Sequence, residues 1–242
     1  MDESGLLTRL RNANNAHGFA DRAVFSAALD GTPNPQIPRS GIADVAFAAQ
    51  LNYVLSQMKE KEPERIERLS ELDELVAVDL GCGSIPYRKP LALVLASINP
   101  NVALYGIDKN SANWGPYEER IGDTTLIIKK GNIEELHKWI AGFEKEKVDV
   151  LLAYNPSPNI PFPRLKKIAH RLVENAILIG SADGITWGSA GHYDDGLKAN
   201  DYSAIVTEKN PFGTLLQQGY SDPASSKPHR FSPWYGAVRG GN

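Results

Sequence analysis

The sequence predicts an α/β protein built on a doubly wound, mainly parallel sheet, with a helical extension in front of it. Three observations carry this expectation. From residue 75 onward, short apolar runs alternate with stretches of helical periodicity, the pattern of a parallel sheet covered on both faces by crossover helices. The first run, Leu75 to Leu80, ends in a glycine turn at Gly81 and Gly83 and leads to a helical stretch opening at Pro90. The length of 242 residues suits one such domain with an extension, and contents of 42% hydrophobic and 23% charged residues are ordinary for a globular chain.

Residues 1–74 read as the extension and residues 75–242 as the α/β domain. Within the extension, "GLLTRLRNA" and "DRAVFSAAL" fit short amphipathic helices, and Asp30 to Gly41 interrupts them with three prolines and two glycines. From Ile42 the apolar residues return at helical spacing, and a second helix is expected after a break at Pro63. The charged run from Lys59 to Glu74 reads as a solvated helix face, because Glu and Lys alternate within it.

In the second part, strands are expected at Leu75 to Leu80, at Val102 to Asp108, at Thr124 to Lys129, at Val148 to Tyr154, from Ala176, from Tyr202 and at Trp234 to Arg239. The segment around Trp114, Gly115 and Pro116 reads as a loop or a short helix, and Ser181 to Tyr202 as a long loop. Helices are expected from Ile133 and over Arg164 to Asn175; the basic residues of the latter fit the wet face of a crossover helix.

Bulk properties exclude several classes. Net charge is −3, which gives no support for nucleic-acid binding. One cysteine, Cys82, excludes an intrachain disulfide and any multi-cysteine zinc site, and inside the glycine turn it reads as a small buried filler. No signal-like or membrane-spanning run stands out, so a cytoplasmic location is expected. His192 beside Asp194 and Asp195 has no ligand-spaced histidine partner, and no metal site is expected.

The chemistry-bearing residues gather at the ends of the predicted strands. Asp79, Gly81 and Gly83 close the first. Asp108 closes the second, 25 residues beyond Gly83, where a carboxylate can accept hydrogen bonds from ribose hydroxyls. At these residues the chain resembles the class I S-adenosylmethionine-dependent methyltransferases, whose first strand ends in an acid-x-Gly-x-Gly signature. The resemblance runs from about Val76 to Ile179 and identifies no subfamily. It implies a mainly parallel seven-stranded sheet, S-adenosylmethionine as cofactor, and methyl transfer as the activity. Gly81 and Gly83 would then shape the cofactor loop, Asp79 would meet the methionine ammonium, and Asp108 would hold the ribose.

Asn132 would read the adenine, since its amide both donates and accepts; capping the helix that starts at Ile133 is the equal alternative. Asn155 and Pro156 open "NPSP", similar to the Asn-Pro-Pro-aromatic motif of amino-group methyltransferases, in which the asparagine holds the target nitrogen. Here Ser157 and Pro158 replace the second proline and the aromatic ring. The resemblance makes Asn155 the candidate catalytic residue and Asn155 with Pro156 the candidate acceptor-binding pair, with a simple turn at the strand end as the other reading. The acceptor itself, whether an RNA base, a protein side chain or a small metabolite, has no signature in the sequence.

Two rivals remain. A non-catalytic binding protein of the same fold would explain Ile85 in place of the family's usual third glycine. A nicotinamide-dependent oxidoreductase would need Gly-x-Gly-x-x-Gly, and the third position of that motif is Pro86.

Overall fold

Leu75–Leu80 is buried at all six positions, which only a strand covered on both faces can be. In the computed structural model, which describes residues 51–52, 54–82, 89–108, 117–121, 123–131, 147–153, 160–161, 176–181, 185–186, 202–208 and 234–239, this strand (β1) lies near the middle of an eight-stranded sheet. The remaining members are β2 (Val102–Asp108), β3 (Tyr117–Ile121), β4 (Thr124–Lys130), β5 (Val150–Ala153), β7 (Ile177–Ser181), β9 (Tyr202–Glu208) and β10 (Trp234–Arg239). Their spatial order is β3-β4-β2-β1-β5-β7-β10-β9.

β1 pairs in parallel with β2 on one side and β5 on the other, and β4 and β7 extend the parallel array outward. β10 runs antiparallel to both β7 and β9, so β9 points the same way as β7. Six strands thus share one direction and a seventh is reversed, which is the mainly parallel seven-stranded sheet expected. β3, antiparallel to β4, adds an eighth strand at the edge. It falls in a segment where a loop or short helix was expected.

A second, two-residue parallel ladder joins β6 (Ile160–Pro161) to β8 (Ile185–Thr186). β8 lies inside the segment expected to be a loop throughout. The ladder ties the chain leaving β5 to the chain leaving β7.

Three helices are described. Residues 51–52 and 54–61 are helical (α1), and Leu51, Val54, Leu55 and Met58 are buried at the spacing of one helix face. α2 (Pro63–Ser70) starts with proline at its first turn, where the missing N–H costs nothing. It buries Ile66 and Leu69 and leaves Glu64, Glu67 and Arg68 in solvent, the solvated face expected. α3 (Lys89–Ala96) buries Leu91, Ala92 and Leu95 and packs on β2 and β4.

The amino edge of the sheet is fastened by side chains. Asn99, 2% exposed, donates from Nδ2 to the carbonyls of Leu69 (3.0 Å) and Leu72 (2.7 Å), and its Oδ1 accepts from the Asn101 amide (2.9 Å). α2 and the turn into β1 are thereby held against the turn into β2. Among the described residues no helix is long and apolar enough to cross a membrane.

Candidate functional site

The chain runs from β1 to β2 and β4 on one side, then returns across β1 to β5 and β7 on the other. The strand order therefore reverses between β1 and β5. In open α/β sheets the crevice beyond the carboxyl ends of such a pair is the usual ligand site.

The glycine turn begins there. Gly81 has φ 73°, a left-handed conformation that strains any residue with a Cβ. Its amide donates to the Ile107 carbonyl at 2.8 Å, and the Cys82 amide donates to the same oxygen at 3.2 Å. These two bonds carry the β1–β2 ladder one step past Leu80 and draw the turn over the end of β2. Gly83 lies outside the described residues.

Asp79 and Asp108 take different positions. Asp79 is 1% exposed and both its carboxylate oxygens are covered, so in this conformation the group lies within the protein rather than at an open surface. Asp108, the last residue of β2, is half-buried and keeps a path to solvent. Its carbonyl accepts from the Gly131 amide at 3.2 Å, which brings the chain leaving β4 alongside the end of β2. Asn132 follows Gly131 directly but lies outside the described residues. So do Asn155 and Pro156, which follow β5 in the six-residue stretch between Ala153 and Ile160. The structure thus brings Asp79, Gly81 and Asp108 to the same edge on adjacent strands and bounds the chain segments that carry the other candidates. His192, Asp194 and Asp195 are also outside the described residues.

Register partners on adjacent strands share a sheet face. Ile128 of β4, Gly106 of β2, Asp79 of β1 and Leu152 of β5 form one such row just below the crevice. Cys82, 0% exposed, folds down onto it: a Cβ on Gly106 would lie 2.7 Å from Cys82 Sγ, 3.0 Å from Cys82 Cβ and 2.5 Å from Ile128 Cδ1. The cysteine is the buried filler expected.

A second close approach lies across the switch point, where a Cβ on Gly180 of β7 would stand 2.4 Å from the Ala153 carbonyl oxygen. Neither glycine is among the residues that the strand-end pattern picks out. The signal that would have found them is a glycine inside an otherwise apolar strand, which marks a close approach.

No protein-family model and no curated protein matches the chain. Solved structures similar to it include MNMC2 from Aquifex aeolicus, at 12% identity and a TM-score of 0.46, covering 99% of this chain and 84% of that one. Another is a CurJ carbon methyltransferase, at 12% identity and a TM-score of 0.42, covering 99% and 72%. A third is a fibrillarin/Nop5p complex, at 15% identity and a TM-score of 0.40, covering 69% and 73%. All three likenesses are distant.

Proposed function

We propose that the chain is an S-adenosylmethionine-dependent methyltransferase. The observation that supports this most is the meeting of Asp79, the left-handed Gly81 turn and Asp108 at the carboxyl edge of two adjacent central strands. An α/β sheet gives no function by itself, so these residues carry the reading.

The residues present suit the cofactor. Gly81 adopts a backbone conformation that lets a ligand approach the main chain. Asp108, half-buried at a strand end, offers carboxylate oxygens to ribose hydroxyls. Asp79, whose buried carboxylate lies in the row just below the crevice, would meet the methionine ammonium. Asn132 reads the adenine edge and Gly83 completes the loop. When bound, S-adenosylmethionine supplies a sulfonium methyl open to in-line displacement. The protein's task is then to align an acceptor, exclude water and shape the field around the transfer. Asn155, which lies with Pro156 in the stretch between β5 and β6, orients the acceptor, and the pair binds it.

The sheet speaks against the nicotinamide reading. The dinucleotide fold has the order 3-2-1-4-5-6. Here β4-β2-β1-β5-β7 supplies the first five places, but the sixth is held by the last strand, β10, reversed. Pro86 also stands where the pyrophosphate-binding turn needs its third glycine.

The test of transfer uses S-adenosylmethionine with a labelled methyl group and separate pools of tRNA, rRNA, protein and small metabolites. Label should enter one pool, and Asn155→Ala should abolish its entry while cofactor binding persists. Cofactor binding with label in no pool would favour the non-catalytic alternative.

A further inference from the structure

Gly106 stands in the interior of β2, where glycine is entropically costly and packs nothing. The clashes that a Cβ would make explain its presence. Ile128 Cδ1, 2.5 Å away, is the far end of a side chain that can rotate, so it does not by itself require glycine. Cys82 is different. Its Cβ is one bond from a backbone whose amide is tied to the Ile107 carbonyl at 3.2 Å, next to the 2.8 Å bond from Gly81. Its Sγ, 2.7 Å away, can turn as Ile128 Cδ1 can, but its Cβ, 3.0 Å away, moves only with the backbone. A methyl group at position 106 therefore pushes Cys82 Cβ, and with it the turn, outward by a few tenths of an ångström and loads those two bonds.

We propose that Gly106 and Cys82 form a matched contact that sets the height of the glycine turn above β2, making Gly106 a positioning residue for the cofactor. The proposal rests on the cofactor reading above. Gly106 and Asp108 are two residues apart on one strand and share a face. The height of the turn over Gly106 therefore also fixes its distance from the carboxylate assigned to the ribose. Neither residue of the pair touches the cofactor in this account; both act through the turn.

The test compares Gly106→Ala, Cys82→Val, Gly106→Ala/Cys82→Gly and Gly106→Ala/Ile128→Val in the full chain, by titration with S-adenosylmethionine and by amide hydrogen exchange without it. Gly106→Ala should raise Kd about tenfold or more. Cys82→Val, which overfills the same contact from the other side, should do likewise, so the proposal survives if one of the two variants fails to fold. Gly106→Ala/Cys82→Gly removes both Cys82 atoms that the new methyl would meet and should return Kd to within about threefold of the parent, a non-additive rescue. Exchange at the Gly81 and Cys82 amides should accelerate in Gly106→Ala and recover in that double variant.

Unchanged Kd and unchanged exchange in Gly106→Ala would overturn the proposal. So would full rescue by Ile128→Val, which would assign the contact to ordinary core packing. If the parent protein binds no S-adenosylmethionine, the functional reading fails, and exchange at the two amides then decides separately whether the contact sets the turn.

Discussion

Val76 and Asp149 are joined twice: the Val76 amide donates to Asp149 Oδ2 at 2.9 Å, and the Asp149 amide donates to the Val76 carbonyl at 2.8 Å. The pair lies immediately before the β1–β5 ladder, which begins at Ala77 and Val150. It therefore fixes the register of the two strands between which the crevice opens. Replacing Asp149 by Ala leaves a strand-edge N–H without its acceptor and should cost about 1–3 kcal/mol. Asp149→Asn keeps an acceptor oxygen and should cost less. Lys147, whose Nζ lies 3.3 Å from Asp149 Oδ1 with its side chain 52% exposed, should contribute below about 1 kcal/mol. Urea unfolding of the three variants checks the ranking; a Lys147→Ala loss as large as that of Asp149→Ala would contradict it.

Asn99 performs a comparable task at the same edge for the helical segment. Asn99→Ala removes the partner of the Leu69 and Leu72 carbonyls and of the Asn101 amide; the Leu69 bond is the buried one, and leaving that carbonyl unpaired costs about 1–3 kcal/mol. Stability should fall while cofactor affinity holds, because this staple sits at the opposite end of the strands from the crevice. Denaturant midpoints and cofactor titration of the same sample separate the two effects; a weakened Kd in the folded variant would contradict this division.

Gly180→Ala should destabilise by about 1–3 kcal/mol, as overpacked sites do. The atom it would meet is the Ala153 carbonyl oxygen, which is backbone and cannot rotate away. Thermal unfolding measures this, and a variant as stable as the parent would mean that β5 and β7 part without penalty.

Asp108→Ala should weaken S-adenosylmethionine binding at least about tenfold, equivalent to about 1.4 kcal/mol. The side chain is half-buried at a strand end, so fold stability should change little. Titration of the variant decides it, and unchanged affinity would remove the ribose assignment.

Much of the central sheet was legible because parallel strands buried on both faces leave continuous apolar runs, as in Leu75–Leu80. The glycine turn was legible for the same local reason: Gly81 takes a conformation that other residues avoid. β3 was not, because an edge strand is held largely by backbone pairing; its Glu118 and Arg120 face solvent and read as loop. The insertion of β10 between β7 and β9 was equally hidden, since strand order depends on long-range pairing that no local pattern encodes. Of the site, Asp79, Gly81 and Asp108 stand where their strand ends placed them. Gly106 escaped notice because its meaning lies in Cys82, a residue 24 positions earlier in the chain.

Calorimetric titration of the intact protein decides whether the crevice over Gly81 and Asp108 binds S-adenosylmethionine. S-Adenosylmethionine and S-adenosylhomocysteine should each bind with micromolar affinity, and NADH, run alongside, should give no heat. Silence from both adenosyl compounds, or binding of NADH in their place, would contradict the account.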